Sequence, residues 1–131
     1  MKIENILDAL IRLIESDDYF SSVNILKAYP CSPAPSRLAG ETVALGLEEI
    51  KMSSSSVDEN NRAGEISVFA DIFIPVKKSN DRAFDILSRL CGCFCVYHVI
   101  SVSAQRIAVD VNTASYVLKT VFTFNDEIEV N

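Results

Sequence analysis

The chain has 131 residues, of which 49% are hydrophobic and 23% are charged, a balance typical of a globular protein with one core. Its formal net charge is −6, and its only adjacent basic residues are Lys77 and Lys78. Because a protein grips nucleic acid by presenting a positive surface to the phosphates, this sequence argues against nucleic-acid binding. We therefore predict one domain over residues 1–131.

The sequence also argues against a membrane protein. No apolar run approaches the length of a membrane span, and charged residues interrupt the first 16 residues in a way that a signal peptide would not allow. We expect the protein to be made in the cytoplasm and to be assembled there, without contact to a membrane.

Two helices are predicted from apolar residues that recur at helical spacing. The stretch KIENILDALIRLIES carries the first, and its apolar face is formed by Ile3, Ile6, Leu7, Leu10, Ile11 and Ile14. The stretch SNDRAFDILSRLCGCF carries the second, and its predicted inward face is formed by Phe84, Leu87, Leu90, Cys91 and Phe94.

Strands are predicted where apolar and polar residues alternate. VNILKAYP gives a short strand, and the prolines that follow it over residues 28–40 favour an extended, irregular connection. ETVALGLEEIKMS changes phase near Glu48 and Glu49, which predicts a strand with a β-bulge. GEISVFADIFIPV is the clearest strand, and residues 53–64, SSSSVDENNRAG, are predicted to form a long mobile loop before it.

The last part of the chain predicts an antiparallel hairpin. VYHVISVSAQRIAVDV and SYVLKTVFTFNDEIEV alternate over their whole length and are joined around NTA. The complete order predicts an α+β fold, with a mostly antiparallel four-stranded sheet and two helices packed on one face.

The cysteines of LCGCFC are the first candidate for a chemical site. Cys91, Cys93 and Cys95 lie within five positions, but zinc sites are usually built from C-x2–4-C pairs far apart in sequence. Cys31 and His98 are the remaining cysteine and histidine, and no C-x-x-C redox motif is present. Since buried cysteine packs as a small hydrophobe, we predict core and helix-end positions, no metal, no cofactor and no catalytic residue.

The face of the sheet that lies away from the helices is the second candidate. By strand parity, it carries Phe69, Phe73, Val117 and Val121, although a solvent-facing sheet surface should be polar. An exposed apolar stripe of this kind usually marks a partner surface. The alternative is that residues 28–40 fold back over the stripe and cover it.

The order of these elements resembles that of the phage tail terminator family. The resemblance is carried by AGEISVFADIFIPV, by the helix SNDRAFDILSRL and by the hairpin that closes on SYVLKTVFTF, and it spans most of residues 1–125. It is a resemblance of pattern and order, and YPCSPAPS and LCGCFC have no counterpart in it.

The resemblance implies a structural protein rather than an enzyme. Such proteins form a homo-oligomeric, hexameric ring at the head-proximal end of a phage tail or phage-tail-like tube, end tube polymerisation, and dock neck or collar proteins. The implied location is the virion or tail-like particle, and the implied partners are other copies of the chain, the tube and sheath proteins. The polar stretch in such rings reaches the tube or a neighbouring subunit, which adds these expected interface residues: Ser53, Ser54, Ser55, Ser56 and Val57.

Two other functions remain open at the level of sequence. One is a small ligand-binding or enzyme-accessory domain with a pocket between helices and sheet. The other, less favoured, is a metal-binding module built on the cysteines.

Overall fold

The computed structural model of the chain describes residues 2, 5–28, 38, 40–56 and 61–129. In chain order, the elements are α1 (Ile6–Glu15), a 3-10 helix (Asp18–Ser22), β1 (Asn24–Lys27), β2 (Thr42–Ser56), β3 (Asn61–Pro75), α2 (Asp81–Phe94), β4 (Val99–Ala104), β5 (Ala108–Asp110) and β6 (Ser115–Glu129). The fold is α+β. Neither described helix is long and apolar enough to cross a membrane.

The sheet is larger than predicted and is not purely antiparallel. Six strands form one sheet in the order β1-β2-β3-β6-β4, and β5 also pairs with β6. β1 runs parallel to β2, whereas the other pairs are antiparallel. The prediction of four strands was therefore wrong. Parallel neighbours need a long connection between them, and residues 28–41 provide one.

The predicted bulge in β2 is confirmed. The register with β3 shifts between Leu47 and Glu49, so that Glu48 is the additional residue on β2. This extra residue explains the change of phase in the sequence. Beyond it, the alternation of side chains between the two faces of the strand is shifted by one position.

Residues 53–64 do not form the predicted loop. β2 continues to Ser56 and β3 begins at Asn61, so most of the polar stretch extends a β-hairpin. Val57 lies outside the described residues. Polar composition misled the prediction, because backbone pairing holds a strand even where it has no apolar face to bury.

The strand predicted before the final turn is broken in two. Ala104 pairs with Thr120, whereas Ala108 pairs with Val117, so the register shifts between β4 and β5. The antiparallel pairing with β6 was predicted correctly, but the break over residues 105–107 was not.

Both helices pack on the same face of the sheet and close one core. The predicted inward face of β3 is confirmed, since all five of its residues are at most 1% exposed: Ile66, Val68, Ala70, Ile72 and Ile74. They share a cluster with the α1, α2 and β6 residues Ile6, Leu10, Ile14, Ala83, Ile86, Leu90, Phe94, Leu118, Phe122, Phe124 and Ile128.

The buried face of α2 is turned slightly from the predicted one. Ala83 and Ile86 join Leu90 and Phe94 in the core, whereas Phe84 is 51% exposed. The prediction gave weight to the large aromatic residue, but it is the small Ala83 that faces the sheet.

Candidate functional site

The second face of the sheet, defined as the face opposite the helices, is built from three rows of paired residues. Strand alternation and register place Phe69 of β3 between Gly46 of β2 and Val121 of β6. The two adjacent rows are Ala44–Asp71–Lys119 and Thr42–Phe73–Val117. The charged row therefore divides the predicted apolar stripe into two patches.

The first patch is covered within the subunit. Phe73 is 6% exposed and Val117 is 8% exposed, and they form a small cluster with Ala44. Leu38, from the connection between β1 and β2, packs against this cluster. The expectation that these two residues are exposed in an isolated subunit is thus wrong, and the predicted alternative of cover from residues 28–40 holds at Leu38.

The second patch remains open. Phe69 and Val121 are only half-buried. The Phe69 ring lies across Gly46, where the Cβ of any other residue would collide with it. An aromatic ring on a cross-strand glycine is a familiar way of filling the space that the missing side chain leaves. This arrangement holds the ring flat against the sheet and leaves part of it facing outward.

A concavity of about 300 Å³ lies beside this patch. Its lining is formed by Glu48, Phe69, Asp71, Ser103, Gln105, Lys119, Thr120 and Val121. Glu48 faces this space because it is the bulge residue of β2. The site therefore combines half-buried apolar side chains with two carboxylates and one ammonium group.

The electrostatics of this concavity centre on Asp71. Partial burial raises the pKa of its carboxyl group, and the charge of Glu48 raises this pKa further, while Lys119 acts in the opposite direction. A carboxylate that is desolvated without full compensation stabilises a cationic neighbour when one is supplied. The face can accordingly receive an apolar contact and a positive charge side by side.

The cysteines of LCGCFC lie beside the core and at the end of α2, and none of the three is fully buried. Cys91 and Cys93 are half-buried and pack on the core, whereas Cys95 is exposed. Burial raises the pKa of both half-buried thiols, that of Cys93 to about 11, with a further contribution from Asp17, whose Oδ2 accepts a hydrogen bond from Cys93 Sγ at 3.6 Å. A raised thiol pKa is the opposite of what a nucleophile or metal ligand needs.

Metal-ligating side chains are not grouped in the part of the chain that the structure describes: no three His, Cys, Asp or Glu residues could hold an ion there. Cys31 lies outside the described residues. His98 is exposed on the approach to β4, and its backbone carbonyl accepts a hydrogen bond from the N–H of Asn125.

The predicted polar contact residues lie far along the hairpin. Ser53, Ser54, Ser55 and Ser56 belong to the end of β2. This segment lies beyond Met52, whereas Phe69 pairs with Gly46 nearer the start of the strand. The structure thus does not join these serines with the second-face patch.

A buried ion cluster was missed at the level of sequence. Glu41 is only 4% exposed and accepts two hydrogen bonds from Arg82, at 2.8 and 3.1 Å. Arg82 also donates to the Tyr19 hydroxyl at 2.8 Å, and Lys78 lies 3.8 Å from Glu41. The partners are 41 residues apart along the chain, so no local pattern could have indicated the pair.

Comparisons with known proteins leave the function open. No family model and no curated protein matches the chain. Solved structures do match, and one of them is similar over 90% of this chain and 94% of its own length, with a TM-score of 0.49, 11% sequence identity and a name that states no function. At this level of similarity, nothing about activity or partners follows for this chain.

Proposed function

We propose that the chain is a structural subunit of a homo-oligomeric ring that caps the head-proximal end of a phage tail or phage-tail-like tube. In this role it ends tube polymerisation and offers a docking surface to neck or collar proteins, with the tube and sheath as further partners. The particle is assembled in the host cytoplasm. The proposal rests on the resemblance in element order and on the second face of the sheet.

The observation that carries the proposal is the open patch formed by Phe69 and Val121. These side chains stay half-buried on a face that neither helix covers. Partly exposed apolar side chains beside a charged concavity are typical of a protein contact with an apolar centre and a polar rim. The negative net charge also suits a ring through which DNA passes, because like charge keeps phosphate from binding.

Val121→Asp tests this contact. Val121 is half-buried and Lys119 lines the same concavity, so the free subunit should fold with a carboxylate at this position, but the same charge costs several kcal/mol when a partner excludes water from it. We expect a folded subunit that no longer ends tube growth, so that tails of variable length are seen by electron microscopy.

Val111→Asp is the matched control, because Val111 is 86% exposed at the turn before β6. We expect this variant to give tails of normal length. Tails of normal length with Val121→Asp, at normal levels of folded subunit, would contradict the proposed contact.

A second candidate function is a small ligand-binding or enzyme-accessory domain. The concavity of about 300 Å³ favours it, since this volume lies at the lower end of known ligand pockets. Its lining contains more polar and charged side chains than most ligand pockets do. This second function would be supported over the ring function by two results together: the subunit stays monomeric in the cell that produces the particles, and a small cation stabilises it against heat.

A further inference from the structure

Among the strands that the structure describes, β4 pairs only with β6, so that its outer edge is open, and this edge is uncharged. Every residue from Ile100 to Ala104 is exposed, with Ile100 at 44% and Val102 at 42%. The stretch VYHVISVSA, residues 96–104, contains no proline and no Asp, Glu, Lys or Arg. Natural proteins usually protect an open edge with such residues, because its free N–H and C=O groups attract another strand.

The hydrogen bonding of β4 shows which backbone groups are free to pair. The N–H of Gln105 donates to the carbonyl of Lys119 at 2.9 Å, and Ala104 is in register with Thr120. In an antiparallel pair, alternate residues direct both backbone groups to the same neighbour. Ser101 and Ser103 therefore pair with β6, while Val102 and Ala104 point their N–H and C=O groups outward.

The bulge in β4 limits the regular part of this edge. The register with β6 shifts between Val99 and Ser101, so the regular segment is Ser101–Ala104. A partner strand must therefore be extended and must fit a short segment that offers Val102 and Ala104.

We propose that this segment pairs with the same segment of a second copy of the chain, antiparallel and about a two-fold axis at Ser103. In this register Val102 faces Ala104 of the second copy, and Ala104 faces Val102 of the second copy. Within each of these two pairs, each residue donates its N–H to the carbonyl of the other. The larger side chain of Val102 then lies beside the small one of the partner's Ala104. The outward groups of both strands are all satisfied.

The self-complementary register of this segment favours a second copy as the occupant, and the charge distribution permits it. Each chain carries a net charge of −6, so two copies repel each other wherever their acidic surfaces meet. The paired segments Ser101–Ala104 bring together only uncharged side chains, and the contact buries the apolar surface of Val102. An acidic chain can therefore associate with itself here with little repulsion.

This inference goes beyond the proposed function and does not rest on it. A two-fold contact is isologous, whereas neighbours in a ring of more than two copies meet through heterologous contacts, so the β4 pairing cannot join them. The pairing belongs to the free subunit and uses the sheet edge, whereas the proposed ring contact uses Phe69 and Val121 on the second face.

Ala104→Pro is the direct test, measured by sedimentation velocity of the full chain over a wide range of concentrations. Proline removes an outward N–H, which an edge strand tolerates, so the subunit should stay folded. We expect the wild-type chain to form a dimer and the variant to dissociate at least tenfold more readily. Ser103→Pro is the matched control, because it removes an N–H that points to β6 and should damage the fold of the monomer.

Val102→Lys keeps the proposal testable if proline disturbs the strand. A lysine at this position places two positive charges beside the two-fold axis and should also prevent the dimer, whereas Val111→Lys should leave it intact. A wild-type chain that stays monomeric throughout, or a dimer unaffected by both β4 variants, would overturn the proposal. Sedimentation of the free chain and its β4 variants tests the dimer, whereas tail length tests the ring contact, so either idea can fail without the other.

Discussion

Three glycines differ in how much space surrounds them for a side chain. A side chain at Gly46 would meet the far end of the Phe69 ring, and one at Gly64 would meet the backbone carbonyl of Lys51 at 2.6 Å. At Gly92, on the exposed side of α2, a side chain would meet nothing within 4 Å. The first clash can be relieved when a ring turns away, but the second requires the backbone itself to move.

We therefore expect Gly64→Ala to be the most destabilising of the three alanine variants, by about 2–3 kcal/mol of unfolding free energy. Gly46→Ala should cost about 1 kcal/mol, because the half-exposed Phe69 ring can swing outward. Gly92→Ala should stabilise the protein by up to about 1 kcal/mol, since alanine favours a helix. Urea denaturation of all three variants measures this order, and equal effects at positions 46 and 64 would contradict the described backbone contact.

At the scale of elements, the ion cluster around Glu41 joins parts of the chain that no local pattern connects. Glu41 precedes β2, Arg82 lies in the first turn of α2, and Tyr19 belongs to the 3-10 helix. The Arg82 guanidinium also lies over the Tyr19 ring, 5.3 Å from its centroid. A buried carboxylate held by two charge-assisted hydrogen bonds fixes the start of β2 against α2.

Glu41→Gln should lower the unfolding free energy by about 2 kcal/mol at pH 7, because it leaves the Arg82 charge without its partner in a partly buried site. Hydrogen bonds from Arg82 hold the pKa of Glu41 below its ordinary value of 4.5. The stabilisation is therefore complete above that value and is lost as the pH falls through the lowered pKa of the folded state.

The difference between wild type and Glu41→Gln should accordingly shrink on acidification below pH 4.5, as measured by thermal unfolding. Glu49→Gln is the control, since the Glu49–Lys51 pair is exposed and 4.0 Å apart, and its loss should change stability by less than about 0.5 kcal/mol. A difference for Glu41→Gln that stays constant from pH 7 to pH 3 would show that the variant acts by shape and not by charge.

The parts of the fold that could be predicted are those that leave a periodic pattern of apolar residues in the sequence. α1, the inward face of β3 and the bulge of β2 could all be read from the sequence, because each one follows from the spacing of apolar residues that the core buries. The extension of the hairpin through Ser53–Ser56 could not be predicted, since backbone pairing leaves no apolar pattern. The break between β4 and β5 could not be predicted either, because apolar and polar residues continue to alternate across it. The break is a shift of register with β6, which depends on tertiary pairing and not on local sequence.

At the scale of the whole molecule, the described residues form a two-layer structure in which the chain itself partly covers the second face. Leu38 covers Phe73 and Val117, while Phe69 and Val121 remain beside the charged concavity. The sequence placed all four residues on one face correctly. It could not show which of them are covered, because that depends on the path of the connection between β1 and β2.

Because one patch of the second face is covered and the other is not, we expect different effects of substitution at two phenylalanines on the same face of β3. Phe73→Ser should lower the unfolding free energy by about 3–5 kcal/mol, because it empties a covered site and buries a hydroxyl group. Such a loss is a large part of the stability of a domain of this size. Phe69→Ser should leave the subunit folded and cost less than half as much, since this ring already faces water.

The two variants also distinguish a residue that is covered by its own chain from a residue that contacts a partner. Phe69→Ser should impair the control of tail length in a subunit that unfolds cooperatively near the wild-type temperature, whereas Phe73→Ser should reduce the amount of folded subunit before any assembly takes place. Urea denaturation together with electron microscopy of the particles measures both effects. If Phe73→Ser proves as stable as Phe69→Ser, Leu38 does not hold its cover in solution, and the apolar surface offered to a partner then extends over both patches of the second face.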